Sequence, residues 1–242
     1  PDIIAINGSG RAPQALNTEL LLSQGITKIE QQSAHSVTVP TAVDAWVQLN
    51  RDYGTMPLAD LLQPAIGYAD DGFPVAQRSA FDFAGCLALL KGDADASDVF
   101  LKAGQTYQMG EILRQPALAK TLREIAEKGR AGFYEGWVAD DLLAKLNGLG
   151  GLHTADDLAM ARADYVTPIS TNFRGYDIFE CPPNGQGMIA LLLLNMAAGM
   201  DVSDGPLSIS RIHHEIEAGR LADRDRSAYL ADPAFSAVPV DE

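Results

Sequence analysis

"YVTPISTNFRGYDIFECPPNGQG", Tyr165 to Gly187, is where the hydrophobic period of the chain changes. Apolar and polar residues alternate on both sides of Arg174-Gly175, and that pattern predicts two strands joined as a hairpin around this turn. Beyond "PPNGQG" the chain returns to helix, first over Met188 to Met200 and then along "PLSISRIHHEIEAGRLADRDRSAYL". The apolar run "MIALLLLNMAAGM" falls short of the about 20 residues a membrane helix needs, so it predicts a buried core helix.

Upstream, the chain opens with a short buried strand, Ile3 to Ile6, running into a glycine turn. "PQALNTELLLSQGI" follows as a helix stopped by Gly25, and "SAHSVTVP" as an extended segment. In "TAVDAWVQLNRDYG", Thr41 is placed to cap a helix whose Val43, Trp46, Val47 and Leu49 share helical spacing. "PLADLLQPAIGYADDGF" sets Leu58, Leu61, Leu62, Ile66 and Ala69 on one side, with a kink expected at Pro64. "AQRSAFDFAGCLALLKG" predicts another helix, and "DADASDVFLKAGQTYQMGEILRQ" a loop-rich stretch with an extended piece at Gln105 to Gln108. Three further helices are "PALAKTLREIAEKG", with Leu118, Leu122 and Ile125 on its stripe, then "GFYEGWVADDLLAKLNGLGG", then "HTADDLAMARADY". In the last of these, Thr154 and Asp157 form an acidic version of the capping box. The sum is a single helix-rich α+β unit over residues 1–242.

At 47% hydrophobic, the 242 residues have the means to bury a sizeable core. A formal net charge of −14 argues against nucleic acid or an anionic membrane surface as partner, because both demand clustered Lys and Arg. Cys86 and Cys181 lie far apart, without metal-ligand spacing, and read as two buried thiols. The first residue is Pro1, so the chain is expected to start inside a longer gene product, and the missing targeting signals decide little. A cytoplasmic location is the expectation.

The stretch "INGSGRAP", Ile6 to Pro13, is the first that invites chemistry. A dinucleotide fingerprint needs a third glycine where Pro13 stands, and a Walker loop needs a Gly-Lys pair that is absent. Two readings stay open: a structural turn that ends a strand, or a turn whose glycines expose Arg11 or Ser9 to a carboxylate, which an arginine fork suits. "RIHHEIEAG" sets His213 and Glu217 on one helix face, but the H-E-x-x-H order of a zinc protease is missing because position 218 is Ala. Partly buried or hydrogen-bonded histidines are expected there, with no metal and no cofactor. "RLADRDRS", Arg220 to Ser227, reads as a solvated, ion-paired helix face. No nucleophile–base set stands out, and on these grounds alone the chain is a soluble acidic α+β module.

Several punctuated stretches taken in order add more. "YGTMPLADLLQPAIGYADDGFPV", "QPALAKTLREIAEKG", "FYEG", "GGLHTADDL", "TPISTNFRGYDIFECPPNGQG" and "DRSAYLADPAF", preceded by Val39-Pro40, resemble the γ-glutamyltransferase family in both order and spacing. The similarity covers essentially the whole chain. It implies a segment of the large subunit of an αββα-sandwich N-terminal-nucleophile hydrolase, incomplete at both ends. It also implies an autoprocessing proenzyme whose small subunit supplies a nucleophilic N-terminal Thr, so this chain alone is expected to be inert. The implied chemistry is amide hydrolysis or acyl transfer on a small anionic amide, with this chain helping to wall the donor pocket. Transpeptidases of the family carry an arginine four residues before the Ala-Pro proline, where it grips the donor's α-carboxylate. Counting back from Pro13, that place holds Ser9, and the arginine is Arg11, two residues nearer the proline. "GSGRAP" with "PPNGQG" is more similar to the branch containing oxamate amidohydrolases. The alternative is a non-catalytic binding or structural module.

Overall fold

The computed structural model describes residues 3–200 and 205–240. Their contacts gather the chain into two compact units, one holding the chain up to Arg11, Pro40–Ala45 and the chain from Ala161 onward, the other Ala12–Val39 and Trp46–Met160.

In the first unit the expected hairpin forms, Ile169–Phe173 pairing antiparallel with Tyr176–Glu180. Phe173 faces Tyr176, which leaves only Arg174 and Gly175 in the turn, and both have positive φ, 53° and 87°. Two consecutive left-handed residues are what the tightest hairpin turn demands, and Gly175 accepts the second at no steric cost. Ile169, Thr171 and Phe173 are half-buried, while Ser170 and Asn172 are exposed.

Behind the hairpin lies the helix Gly187–Ala198, the expected core helix. Its Met188 and Ile189 cluster with Ala222 of the long helix Ile209–Tyr229, and Ile169, Leu192, Leu193, Met196, Leu230, Val238 and Val240 close around them. Each such aliphatic side chain removed from water contributes about 1.5–3 kcal/mol. The long helix buries only Ala218 and Ala222, one turn apart, and these small residues let its neighbour approach closely. Its charged run is solvated and ion-paired as expected, Arg220 with Glu217 at 3.0 Å and Arg226 with Asp223 at 2.8 Å. Exposed pairs of this kind add little stability.

The opening strand runs over Ala5–Asn7, later than the expected Ile3 to Ile6, and pairs antiparallel with Asp164–Val166. Ile3 and Ile4 stay about half-exposed, so the strand is not a buried one.

In the second unit, helix Leu58–Asp71 packs on helix Pro116–Lys128, burying Ile66 and Ala69 against Ala119, Leu122 and Ile125. The Gln115 amide donates to the Ala69 carbonyl at 2.8 Å, and Arg123 pairs with Asp70. Leu61 and Leu118, assigned to the apolar stripes of these helices, are exposed. "SAHSVTVP" forms no strand: Ala34–Ser36 is one 3₁₀ turn, and the Val37 carbonyl meets the His153 ring at 3.0 Å in place of a neighbouring strand. The predicted loop after Gly92 contains a helix, Ala94–Phe100, started by Asp93, whose carboxylate accepts the Ala96 amide. Lys145 reaches both Asp93 and Asp95 at 2.6 Å. Cys86 sits where the predicted single helix breaks into Gln77–Gly85 and Leu87–Lys91, and it is exposed, while Cys181 is half-buried at a strand end. The reading of two buried thiols is thereby corrected.

The helix-rich α+β class read from the sequence is the class observed, with strands among the described residues only in two-stranded pairs. Among those residues no helix is long and apolar enough to cross a membrane.

The capping box at Thr154 is reciprocal. The Asp157 amide donates to the Thr154 hydroxyl at 3.1 Å, while the Asp157 carboxylate accepts both the Thr154 amide at 2.9 Å and its hydroxyl at 2.7 Å. Its other oxygen accepts the Gln14 amide at 2.9 Å, which ties the distant segment after Pro13 to helix Ala155–Met160. Burial pushes the Asp157 carboxyl up, but these hydrogen bonds outweigh it and hold the group below the ordinary carboxylate value. A depressed folded pKa gives stability that is fully present above the unfolded value of about 3.9 and is lost as pH falls through the folded value. Asp157→Ala is therefore expected to cost about 3 kcal/mol near neutral pH. In urea midpoints measured from pH 7 downward, the gap to wild type should hold above about pH 4 and narrow only as pH falls below it; a gap that narrows already between about pH 7 and pH 5 contradicts the assignment.

Candidate functional site

The strand Ala5–Asn7 ends in the turn Gly8-Ser9-Gly10-Arg11, and three sequence-distant elements of the same unit hold it. Thr41, at the start of the helix Ala42–Tyr53, is buried, and its hydroxyl donates to the Gly8 carbonyl. That hydroxyl was expected to serve the helix end. A Cβ on Gly8 would stand 3.1 Å from the Ala45 Cβ, so the close approach of this helix is what requires glycine there. From the "PPNGQG" loop, the Asn184 side chain accepts a hydrogen bond from the Asn7 amide nitrogen at 3.0 Å. At the strand end before that loop, the Cys181 thiol faces the Ile6 carbonyl at 3.9 Å. Asp44 is buried and accepts the Ala163 amide at 2.8 Å, fixing the chain that leads into the partner strand Asp164–Val166.

Ser9 and Arg11, the two residues singled out from the sequence, both lie exposed on this turn. The Ser9 amide donates to the Asn7 side-chain oxygen at 2.9 Å, an Asx turn that shapes the loop from within. Arg11 makes no hydrogen bond or ion pair among the described residues, although the chain is strongly acidic. An unengaged guanidinium at the mouth of a glycine turn is chemically ready for a carboxylate. Asn7, Thr41 and Asn184 were not found by sequence reasoning. Thr41 carried a capping signal, but the two asparagines carried none beyond their place in glycine-flanked turns.

The other candidates are not brought to this turn. His213 and His214 stand exposed on the long helix with rings 5.8 Å apart, and His214 shares a hydrogen bond with the Ser210 carbonyl. Glu217 pairs with Arg220. Among the described residues no group of three or more His, Cys, Asp or Glu side chains is placed to hold a metal ion.

The sequence model described as "Gamma-glutamyltranspeptidase" matches residues 1–242. The chain belongs to that family. It is 36% identical over 239 residues to the glutathione hydrolase-like YwrD proenzyme of Bacillus subtilis, covering 97% of this chain and 45% of that protein. It is 33% identical over 247 residues to the oxamate amidohydrolase proenzyme of Klebsiella pneumoniae, covering 100% of this chain and 46% of the relative. The crystal structure of Helicobacter pylori gamma-glutamyltranspeptidase superposes with a TM-score of 0.87 at 31% identity, over 98% of this chain and 70% of the other. The chain thus spans about half the length of the curated relatives it matches.

The turn's geometry gives its own test. Thr41→Val keeps shape but removes the hydroxyl proton, leaving the Gly8 carbonyl without its partner. The expected cost is about 1–2 kcal/mol, with Thr41→Ser restoring most of it. Equal thermal midpoints for wild type and Thr41→Val contradict the role.

Proposed function

We propose that this chain is the large-subunit segment of an autoprocessing N-terminal-threonine hydrolase that cleaves or transfers the acyl group of a small anionic amide. A family member's name is not its substrate, so the reading rests on the site: Arg11 exposed on a pinned turn, with no partner among the described residues. The exposed guanidinium supplies the positive end for the substrate carboxylate. Ser9, at the place where transpeptidases of the family have their arginine, leaves room beside it for a short acid. That favours an oxamate-like amide over a γ-glutamyl one.

The reacting hydroxyl lies outside this chain. The α-amine of the small subunit's first threonine, with a pKa near 8, takes the hydroxyl proton as the oxygen attacks the amide carbonyl. The C–N bond breaks, the amine leaves with that proton, and water or a second amine then releases the acyl group from the threonine oxygen. This chain's residues orient the acid and the amide. Supporting a companion polypeptide are Leu207, Ile209, Ile212 and Ile216, apolar residues exposed at or near the start of the long helix. The chain alone is accordingly inactive, and neither metal nor cofactor enters the chemistry. A cytoplasmic compartment goes with this reading.

In the full-length processed enzyme, Arg11→Ala is expected to raise KM for the anionic amide roughly 10- to 100-fold, the loss of about 1.5–3 kcal/mol, while self-cleavage stays complete. Steady-state kinetics on oxamate and on γ-glutamyl-p-nitroanilide measure this and separate the two substrate classes. Unchanged KM on the preferred substrate removes Arg11 from the site.

A further inference from the structure

Asn7 and Asn184 form a chain of hydrogen bonds whose direction is fixed. A backbone N–H can only donate, so the Ser9 amide, 2.9 Å from the Asn7 side chain, must face its oxygen. The Asn7 nitrogen is then the atom turned to Asn184 at 3.0 Å, and the Asn184 atom that receives it must be oxygen. Both amides are locked end to end by one main-chain proton. The consequence is that the Asn184 NH₂ points away from Asn7, carrying two N–H donors with no partner among the described residues.

We propose that Asn184 is a specificity-determining residue that donates its side-chain N–H to the carboxylate of the anionic amide, and that Asn7 is the positioning residue that keeps this donor end outward. The inference rests on reading the Gly8–Arg11 turn as part of the donor site and adds to it a second contact, from the "PPNGQG" loop. Three observations carry it. The free atoms on offer, the Asn184 NH₂ and the Arg11 guanidinium, are all donors, which suits an oxygen acceptor and not a cation, and the guanidinium's charge favours an anionic acceptor. The relay passes through Ser9, so the Asn184 amide and the Arg11 turn are set by the same bonded network. Finally, the Glu180 side chain lies over Gly187 at the start of the neighbouring helix, so that helix end is already shared with a carboxylate and leaves the anion to the side-chain donors.

Two substitutions separate this role from a merely structural one. Asn184→Asp still accepts the Asn7 N–H but replaces the outward donor with negative charge. Asn7→Asp still accepts the Ser9 amide but offers Asn184 only oxygen, so the Asn184 amide turns over and presents its carbonyl outward, with the residue itself unaltered. Both are made in the full-length processed enzyme. KM and kcat are measured on oxamate and γ-glutamyl-p-nitroanilide, each beside an analogue whose carboxylate is a carboxamide. For both variants we expect KM on the anionic substrate to rise about tenfold or more. KM on the carboxamide analogue and kcat should stay within about twofold, with self-cleavage complete. Unchanged KM on the anion, or an equal loss on anion and carboxamide, overturns the inference while leaving the enzymatic reading intact. A wild-type enzyme that turns over neither anionic amide overturns that reading and this inference together.

Discussion

A strand of three residues cannot hold itself in place, and the site depends on how Ala5–Asn7 is held. Antiparallel pairing with Asp164–Val166 supplies the ladder, among the described residues on one edge. The rest of the restraint comes from polar side chains: the Thr41 hydroxyl on the Gly8 carbonyl, and the Asn7–Asn184 bridge. Each net hydrogen bond contributes about 1 kcal/mol, so no single one is decisive. Together they tie the strand end and the glycine segment after it to the helix at Thr41 and to the loop at Asn184. A glycine turn left free would spread Arg11 over many positions, and the entropy of ordering it would be charged against ligand binding.

Much of the fold was legible because local chemistry and tertiary packing agree. The Arg174-Gly175 turn, the Thr154–Asp157 capping box and the apolar run from Met188 each combine a period with a stop signal, and each forms where the pattern put it. The failures have a common cause. "SAHSVTVP" has strand composition but pairs with no strand among the described residues, so β-branched residues alone did not make a strand. Helix Ala94–Phe100 is shorter than two turns, too short for a periodic pattern, and its one strong signal, Asp93 as cap, was hidden among other acids.

The site was legible in part for a different reason. Gly8, Gly10 and Arg11 announce a turn and a charge, and both are local properties of the sequence. Asn7 and Asn184 act only through each other across 177 positions, and Thr41 acts on Gly8 across 33. An asparagine beside a glycine is ordinary in any turn, so nothing local distinguishes one that bonds a remote loop from one that meets water. The Thr41 signal was ambiguous in a further way. A hydroxyl at a helix start is expected to accept from that helix, whereas here its proton goes to another segment.

The long helix Ile209–Tyr229 shows why periodicity alone misleads in this chain. Its inward face is built from Ala218 and Ala222, whose small size serves close packing against the Gly187–Ala198 helix. Its larger apolar residues, Ile209, Ile212 and Ile216, follow helical spacing too, yet they face outward. Size is therefore distributed opposite to what a helix serving one core requires, where the bulkiest side chains would be inside. Burying three isoleucines offers several kcal/mol at about 25 cal/mol per Å², a gain this chain by itself leaves unused. The inward stripe of this helix is thus satisfied by small residues, and its branched aliphatics stand on the stripe that the other described residues leave open.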